Sequence, residues 1–182
     1  MLASADMESR LIQVEGVALH VGVTGQGSDL VVLTGGPGCV QYLERDEISP
    51  PAHRAWYPEP RGVGRSGGGP HTMERAIADL EGIREVVGVG SWMVMGHSWG
   101  CDLAVRYAVE HPESVTAGLA DCEVPMHFIA AGNDIRPSWP IAQLAALVPR
   151  GTFSSVPGVP HDFWFTHPDV WTETVANACA AL

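Results

Sequence analysis

The stretch GHSWG, Gly96 to Gly100, decides how this chain of 182 residues is interpreted. A serine nucleophile held on a sharp turn between a strand and a helix needs small residues two positions before and two positions after it, because the backbone doubles back there. Gly96 and Gly100 occupy those two positions around Ser98. The pattern G-x-S-x-G also arises by chance in a glycine-rich chain, so the sequence on either side must support the interpretation.

The flanking segments have the patterns that such a turn requires. SWMVMG, 91–96, is an apolar stretch typical of a strand. In CDLAVRYAVEHP, 101–112, apolar residues recur with helical spacing until Pro112 ends the pattern. The sequence therefore predicts a strand, a turn and a helix in that order, with Ser98 as a nucleophile rather than an ordinary turn serine.

The overall composition excludes several classes of function. With 10 basic and 21 acidic residues, the net charge of −11 offers no attraction for nucleic acid or anionic lipid. No apolar run approaches the roughly 18 residues of a membrane span, and the start of the chain lacks the pattern of a signal peptide, so we expect a cytoplasmic protein. The four cysteines, Cys39, Cys101, Cys122 and Cys179, lack metal-ligand spacing and predict reduced thiols without a metal.

Segments with strand and helix patterns alternate along the chain. The predicted strands are two in RLIQVEGVALHVGVTG and one each in DLVVLTGG, HRAWYPE, SWMVMG, SVTAGLAD, VPMHFIAAGND and GTFSSVPG. Helical periodicity marks TMERAIADLEGIREVVG, with Thr72 as its N-cap, the stretch after Ser98, SWPIAQLAALVP and PDVWTETVANACAAL. This alternation predicts an α/β fold in one domain, 1–182, with a mostly parallel sheet of about eight strands and helices on both faces.

A serine nucleophile needs a base within hydrogen-bond reach, and the base needs a carboxylate to orient it. Of the eight histidines, His161 is the predicted base, because it follows the last predicted strand in a loop of the kind where α/β sheets gather their sites. His167 is the alternative base.

Two aspartates follow the ends of apolar strands and compete for the role of the acid. Asp134 lies in AAGNDIRP, and Asp121 holds the same kind of position one strand earlier. Asp162 adjoins His161 and would have to fold back on its neighbour. The chain order of Ser98, Asp134 and His161 matches the nucleophile, acid and base order of the α/β-hydrolase triad, which favours Asp134.

The reaction also needs N–H donors aimed at the developing oxyanion. One should be the backbone N–H of Trp99, the residue after the nucleophile, and the other should come from the glycine-rich loop TGGPG, 34–38, with Gly36 as its donor. RGVGRSGGG, 61–69, lacks the fingerprint of a phosphate-binding loop, so it is interpreted as a structural loop anchored by Glu59 or Arg61. No organic cofactor is expected.

Taken together, these motifs resemble the α/β-hydrolase superfamily, and within it the branch of proline iminopeptidases and related esterases. The resemblance rests on TGGPG, where the family usually has HGGPG, on EPRGVGRS, where it usually has D-x-RG-x-G-x-S, and on GHSWG, AAGNDIRP and GVPHDFW. Relatives with a lid carry a helical cap after the sixth strand. Asp134 follows Ser98 by only 36 positions, so we expect no cap domain here.

The missing cap bears on the expected function. The family's cap helps to bind the free amino terminus of a peptide substrate, and its loss favours small or medium acyl esters, which need less activation than amides. The resemblance thus implies a serine hydrolase, most simply a carboxylesterase, with a proline iminopeptidase-like amidase or a non-catalytic ligand-binding protein as alternatives. A lactonase or a perhydrolase could use the same triad.

Two expectations concern apolar side chains around such an open site. The aromatic residues in HDFWFTHPDVW, 161–171, either help to form an acyl pocket or belong to the core and anchor the last helix. Exposed apolar surface often marks an interface, so we hypothesise a homodimer, which a monomer in light scattering at micromolar concentration would contradict.

Overall fold

A computed structural model describes residues 7–116 and 125–181. The described residues fall into two compact units, 7–116 and 125–181, which are treated separately. None of the helices among these residues is long and apolar enough to span a membrane.

The elements follow the predicted alternation of strands and helices. The strands are β1 (Glu8–Val14), β2 (Val17–Gly25), β3 (Ser28–Leu33), β4 (His53–Pro58), β5 (Met93–Gly96), β6 (Met126–Ala131) and β7 (Gly151–Val156). The α-helices are α1 (Met73–Val86), α2 (Trp99–Glu110), α3 (Trp139–Leu147), α4 (Phe163–Thr166) and α5 (Pro168–Ala181), with 3₁₀ turns at Asp46–Ile48 and Pro112–Ser114.

The first unit is built on a five-stranded sheet in the order β1-β2-β4-β3-β5. The apolar run Leu30–Leu33 of β3 is buried between β4 and β5, and all three strands run parallel, as expected of a central strand without exposed positions. β2 is antiparallel to both β1 and β4. In this sheet two pairings are parallel and two are antiparallel, so it is a mixed sheet. The strands β6 and β7 of the second unit form a separate parallel pair. The predicted α/β alternation is confirmed, whereas the described strands form a mixed sheet of five and a parallel pair in place of one mostly parallel sheet of about eight.

Two sequence predictions at the ends of elements can be compared with the first unit. Thr72 is the N-cap of α1, because its hydroxyl accepts a hydrogen bond from the Arg75 backbone N–H at 3.2 Å. Within the predicted strand SVTAGLAD, Val115 forms an isolated parallel bridge with Trp92. Residues 117–121 of that segment, including the alternative acid Asp121, lie outside the described residues.

A partly buried carboxylate fastens α1 to α2 and to the segment that follows it. Glu81 accepts hydrogen bonds from the Tyr107 hydroxyl at 2.7 Å and the Ser114 hydroxyl at 3.0 Å, and it forms an ion pair with Arg84. Burial by itself raises the pKa of Glu81, but the hydrogen bonds from Arg84, Tyr107 and Ser114 outweigh it and lower this pKa from 4.5 to about 2. The carboxylate therefore stays charged throughout the usual working range.

The second unit contains a β-α-β segment followed by two helices. β6 and β7 pair in parallel from Met126 opposite Gly151 to Ala131 opposite Val156, with α3 as the connection. The buried rings of Phe163 and Trp171 meet edge to face with 5.0 Å between their centroids. This contact packs α4 against α5 and fixes the end of the loop that holds His161.

We expect Glu81→Gln to lower the free energy of unfolding by about 2–3 kcal/mol at pH 7, because the neutral amide loses the charge-assisted part of the network. The depressed pKa of Glu81 means that this stabilisation is complete above pH 4.5 and fades as the pH falls toward 2. Urea titrations at pH 7 and pH 3 would therefore give a smaller difference between the variant and the wild type at the lower pH. Glu85→Gln, an exposed position on the same helix, should leave stability unchanged.

Candidate active site

The predicted sharp turn between a strand and a helix is present at Ser98. β5 ends at Gly96 and α2 begins at Trp99, and between them Ser98 has φ 56° and ψ −122°. A non-glycine residue in this region costs free energy and persists only where the surrounding structure enforces it. The strain lies on the residue that the sequence predicts as the nucleophile, where it presents a side chain at the apex of the turn.

The two flanking glycines are required by the close approach of backbone segments. A Cβ atom on Gly96 would overlap the carbonyl group of Gly100. A Cβ atom on Gly100 would lie 2.5 Å from the carbonyl oxygen of Leu33 and 2.7 Å from that of Thr34. Backbone atoms cannot move aside as a flexible side chain can, so the turn packs against the end of β3 only with glycine at both positions.

The loop after β3 is tied to this turn by a tyrosine hydroxyl. Tyr42 accepts a hydrogen bond from the Gly35 N–H at 2.8 Å, and its hydroxyl lies 2.7 Å from Nδ1 of His97. Burial raises the pKa of Tyr42, so the hydroxyl keeps its proton near neutral pH and can donate it to the imidazole. Thr34, which replaces the histidine usual in the resembling family, donates to the Val40 carbonyl at 3.1 Å and closes the loop internally.

The two N–H groups predicted to stabilise the oxyanion are available as donors. Within residues 7–116 and 125–181, the backbone N–H groups of Gly36 and Trp99 donate to no protein acceptor. The carbonyl of Gly36 instead accepts from the Cys39 N–H at 3.1 Å, which closes a turn and leaves the amide side open. Uncommitted N–H groups held on a fixed backbone are what a developing oxyanion needs.

The glycine-rich loop that begins at Arg61 is a structural loop, and its predicted anchors are confirmed. Arg61 forms a buried two-bond ion pair with Asp79 of α1. The Glu59 carboxylate accepts from the backbone and side chain of Arg65 and from the Gln41 N–H. Burial raises the pKa of Glu59, but these donors outweigh it and leave the pKa below its usual value. Glu59 thereby links this loop to the segment after β3.

The second unit brings the predicted acid and base together. Nδ1 of His161 lies 2.6 Å from Oδ2 of Asp134. Partial burial raises the pKa of Asp134, but the Arg136 N–H and the His161 hydrogen bond outweigh it, so the net pKa is below the usual value. An ionised Asp134 can only accept, so the proton of this bond sits on Nδ1 and the neutral ring presents Nε2 as its acceptor.

Backbone hydrogen bonds hold the loops that carry this pair. After β6, the Gly132 N–H donates to Val156 at 2.8 Å and the Asn133 N–H donates to Val159 at 2.9 Å. These bonds fasten the loop of Asp134 to the segment between β7 and His161. Both members of the pair are therefore positioned by the parallel pairing of β6 with β7.

Neither His167, the alternative base, nor Asp162, the neighbour of His161, forms a comparable pair among the described residues. Nδ1 of His167 lies 2.9 Å from the hydroxyl of its neighbour Thr166, and no carboxylate in the described part of the chain bonds to this ring. The backbone carbonyl of Asp162 accepts from the N–H groups of Phe165 and Thr166 at the start of α4. The geometry favours the pairing of Asp134 with His161, and the catalytic roles of these residues stay predictions.

The aromatic residues of 161–171, which the sequence assigns either to an acyl pocket or to the core, differ in their burial. Phe163 and Trp171 are buried and hold α4 against α5, so the core interpretation applies to them. Phe165 has 61% of its surface exposed, and Trp164 is half-buried with its ring centroid 5.8 Å from that of Phe165. Only these last two remain candidates for contact with a ligand.

Two residues that were not predicted from the sequence contact the predicted site: Tyr42 bonds to the glycine-rich loop, and Arg136 contacts His161. Tyr42 stands in a loop without periodicity, so nothing in its spacing indicated the bond to Gly35. Arg136 contacts both ring nitrogens of His161, at 2.7 Å from Nδ1 and 2.6 Å from Nε2. Its position two residues after Asp134 was a usable signal, because a cation beside a predicted acid is a natural partner.

We expect Tyr42→Phe to lower the kcat of hydrolysis by about 10- to 100-fold with little change in KM, because the loop of Gly36 loses its hydrogen bond to the turn at Ser98. The matched control is Tyr57→Phe, which removes a buried hydroxyl bonded to Ser49 at 2.6 Å, away from both segments. Both variants should lose similar stability in urea titrations, and only the first should lose turnover. Equal losses of turnover in the two variants would contradict the positioning role of Tyr42.

Comparisons with known proteins agree with the resemblance seen in the motifs. A family model described as "alpha/beta hydrolase fold" matches residues 30–142. The proline iminopeptidase of Neisseria gonorrhoeae is 38% identical over 94 residues, which cover 49% of this chain and 30% of that protein. The proline iminopeptidase of Xylella fastidiosa is 39% identical over 98 residues, with 50% and 30% covered. The matched part thus spans about a third of the length of these curated relatives.

Solved structures share the fold at low sequence identity. A CIB-like hydrolase from Thermoplasma acidophilum has a TM-score of 0.83 at 13% identity, with 98% of this chain and 100% of that chain covered. A serine hydrolase involved in carbazole degradation also has a TM-score of 0.83, at 15% identity, with 97% and 100% covered. Because the family model matches more than half of the residues of this chain, the chain belongs to the alpha/beta hydrolase fold family, near its proline iminopeptidase branch.

Proposed function

We propose that the protein is a serine hydrolase, and specifically a carboxylesterase for small or medium acyl esters, with Ser98, Asp134 and His161 as its catalytic triad. The observation that carries the proposal is the strained backbone of Ser98, enforced by glycines that no other residue could replace. A turn of this shape presents the hydroxyl of its central serine at the apex, and backbone strain of this kind clusters at functional sites. The hydrogen-bonded pair of Asp134 and His161 supports it.

The proposed reaction proceeds through an acyl-enzyme. Nε2 of His161 takes the hydroxyl proton as Ser98 Oγ attacks the ester carbonyl, and the N–H groups of Gly36 and Trp99 stabilise the oxyanion. The imidazolium returns the proton to the alcohol as the bond from the carbonyl carbon to the alcohol oxygen breaks. A water molecule, deprotonated by His161, then cleaves the ester to Ser98 and releases the acid. Asp134 holds the tautomer and stabilises the imidazolium.

The spacing of the chain favours esters over peptides. Asp134 follows Ser98 by 36 positions, an interval too short for a cap of several helices. A cap that binds a peptide's free amino terminus is the specificity device of the resembling peptidases. Because an alkoxide or phenoxide leaves more readily than an amine, an open site without that device turns over esters most easily.

A second candidate is a proline iminopeptidase-like amidase, and the names of the curated relatives favour it. It predicts faster turnover of a proline arylamide than of a matched ester. The ratio of kcat/KM for proline p-nitroanilide to that for p-nitrophenyl acetate separates the candidates. A ratio below one supports the esterase, and a ratio above one supports the amidase.

We expect the wild type to hydrolyse p-nitrophenyl butyrate and Ser98→Ala to lose at least about 10³-fold in kcat, because the nucleophile is removed. Ser91→Ala, an exposed serine just before β5, is the matched control and should retain full activity. Equal rates in the wild type and Ser98→Ala would show that the turn serine is not the nucleophile. No hydrolysis of ester or arylamide by the wild type would favour a non-catalytic ligand-binding protein.

A further inference from the structure

The guanidinium of Arg136 lies against the imidazole ring of the predicted base. Its Nη2 atom lies 2.6 Å from Nε2 of His161 and 2.7 Å from Nδ1. Its backbone N–H donates to Oδ1 of Asp134 at 2.9 Å, while its Nε lies 3.5 Å from the same oxygen. The guanidinium therefore lies against the acid–base pair, and the pair's two side chains hold it there.

This arrangement conflicts with the proposed chemistry. A guanidinium has only donors, and the Nδ1 proton of His161 is given to Asp134. Because Nη2 of Arg136 lies almost equally far from both ring nitrogens, it stands over the face of the imidazole and not along the lone pair of Nε2. The Nε2 lone pair must take the proton of Ser98 for the reaction to start. In the step that follows, an imidazolium would lie beside a second positive charge, and like charges at this distance repel strongly. Moving Arg136 away from the ring would therefore make His161 a stronger base.

The guanidinium has the capacity to bind an anion. Its side chain is 56% exposed to solvent. Within residues 7–116 and 125–181, its Nη1 atom makes no hydrogen bond. The bond to Asp134 from Nε is at the limit of useful length, at 3.5 Å. A carboxylate accepts two parallel bonds from an arginine and forms a stronger pair than a neutral imidazole does.

Elsewhere in residues 125–181 there is no other arginine or lysine side chain at this end of the strands. Residues 125–181 contain two arginines, Arg136 and Arg150, and no lysine. Arg150 precedes β7, while Arg136 follows β6, so they stand at opposite ends of two parallel strands of six residues each. In a chain with a net charge of −11, Arg136 is the cation placed to attract an anionic substrate to this pair.

We propose that Arg136 recognises a carboxylate on the substrate, and that the preferred substrates are esters bearing a carboxylate near the ester group. This inference rests on the proposed function of His161 as the base. The substrate anion draws the guanidinium away from the imidazole ring, so the positive charge that His161 gains is less opposed when the correct substrate is bound. Neutral esters leave the arginine on His161 and react more slowly.

A pair of esters that differ only in charge tests the proposal. 4-Acetoxybenzoate carries a para carboxylate, and 4-acetoxybenzamide is its neutral counterpart. Each kcat/KM is divided by the rate constant of uncatalysed hydrolysis of the same ester. On this corrected scale we expect the wild type to prefer 4-acetoxybenzoate over 4-acetoxybenzamide by about 10- to 100-fold. Arg136→Gln should abolish the preference and hydrolyse the amide-bearing ester at least as fast as the wild type does. Arg136→Lys should restore part of the preference, and Arg150→Gln should keep all of it.

The same preference in the wild type and Arg136→Gln, or none in the wild type, would overturn the inference while leaving the esterase proposal intact. If the wild type hydrolyses neither ester, the proposed function fails separately, and calorimetry with 4-hydroxybenzoate decides the role of Arg136. Binding at least about 10-fold tighter in the wild type than in Arg136→Gln supports anion recognition. Equal affinities contradict it.

Discussion

The close approach of backbone at Gly96 and Gly100 is the constraint on which the first unit depends. Side chains at either position would overlap carbonyl groups, so the chain can reverse between β5 and α2 only with glycine there. The reversal forces Ser98 into a backbone conformation that serine rarely adopts. The hydrophobic packing of β3, β4 and β5 supplies the stability that sustains this local cost. The serine is thereby presented by rigid elements rather than by a flexible loop.

The second unit depends on the charge of one carboxylate, that of Asp134. Asp134 is kept ionised by its donors, and an ionised acid fixes which nitrogen of His161 carries the proton. The same carboxylate also draws Arg136 toward the ring, so one charge both orients the predicted base and holds a cation beside it. In the proposed account this cation lets the site respond to the charge of what it binds. A site without Arg136 would treat charged and neutral esters alike.

The sequence predicted much of this because the relevant constraints are local. Periodicity located the helices from Thr72 onward and the strand before Ser98, and the glycine spacing identified the turn because its geometry admits no other residue. Contacts between distant segments could not be predicted in this way. The Tyr42 hydroxyl contacts His97 across 55 positions, and Arg136 contacts His161 across 25 positions. The place of Arg136 beside Asp134 indicated a partner for the acid, but the contact with the ring of His161 depends on side-chain rotamers, which no pattern encodes.

The most direct test of the account is covalent labelling of the intact protein with diisopropyl fluorophosphate, followed by peptide mapping in a mass spectrometer. A serine activated by a base and an oxyanion site displaces fluoride, whereas an ordinary turn serine does not. The account predicts one adduct per chain, on the peptide that contains Ser98, and much slower labelling of His161→Gln. Labelling of a different serine, or equal labelling of Ser98 in the wild type and His161→Gln, would contradict it.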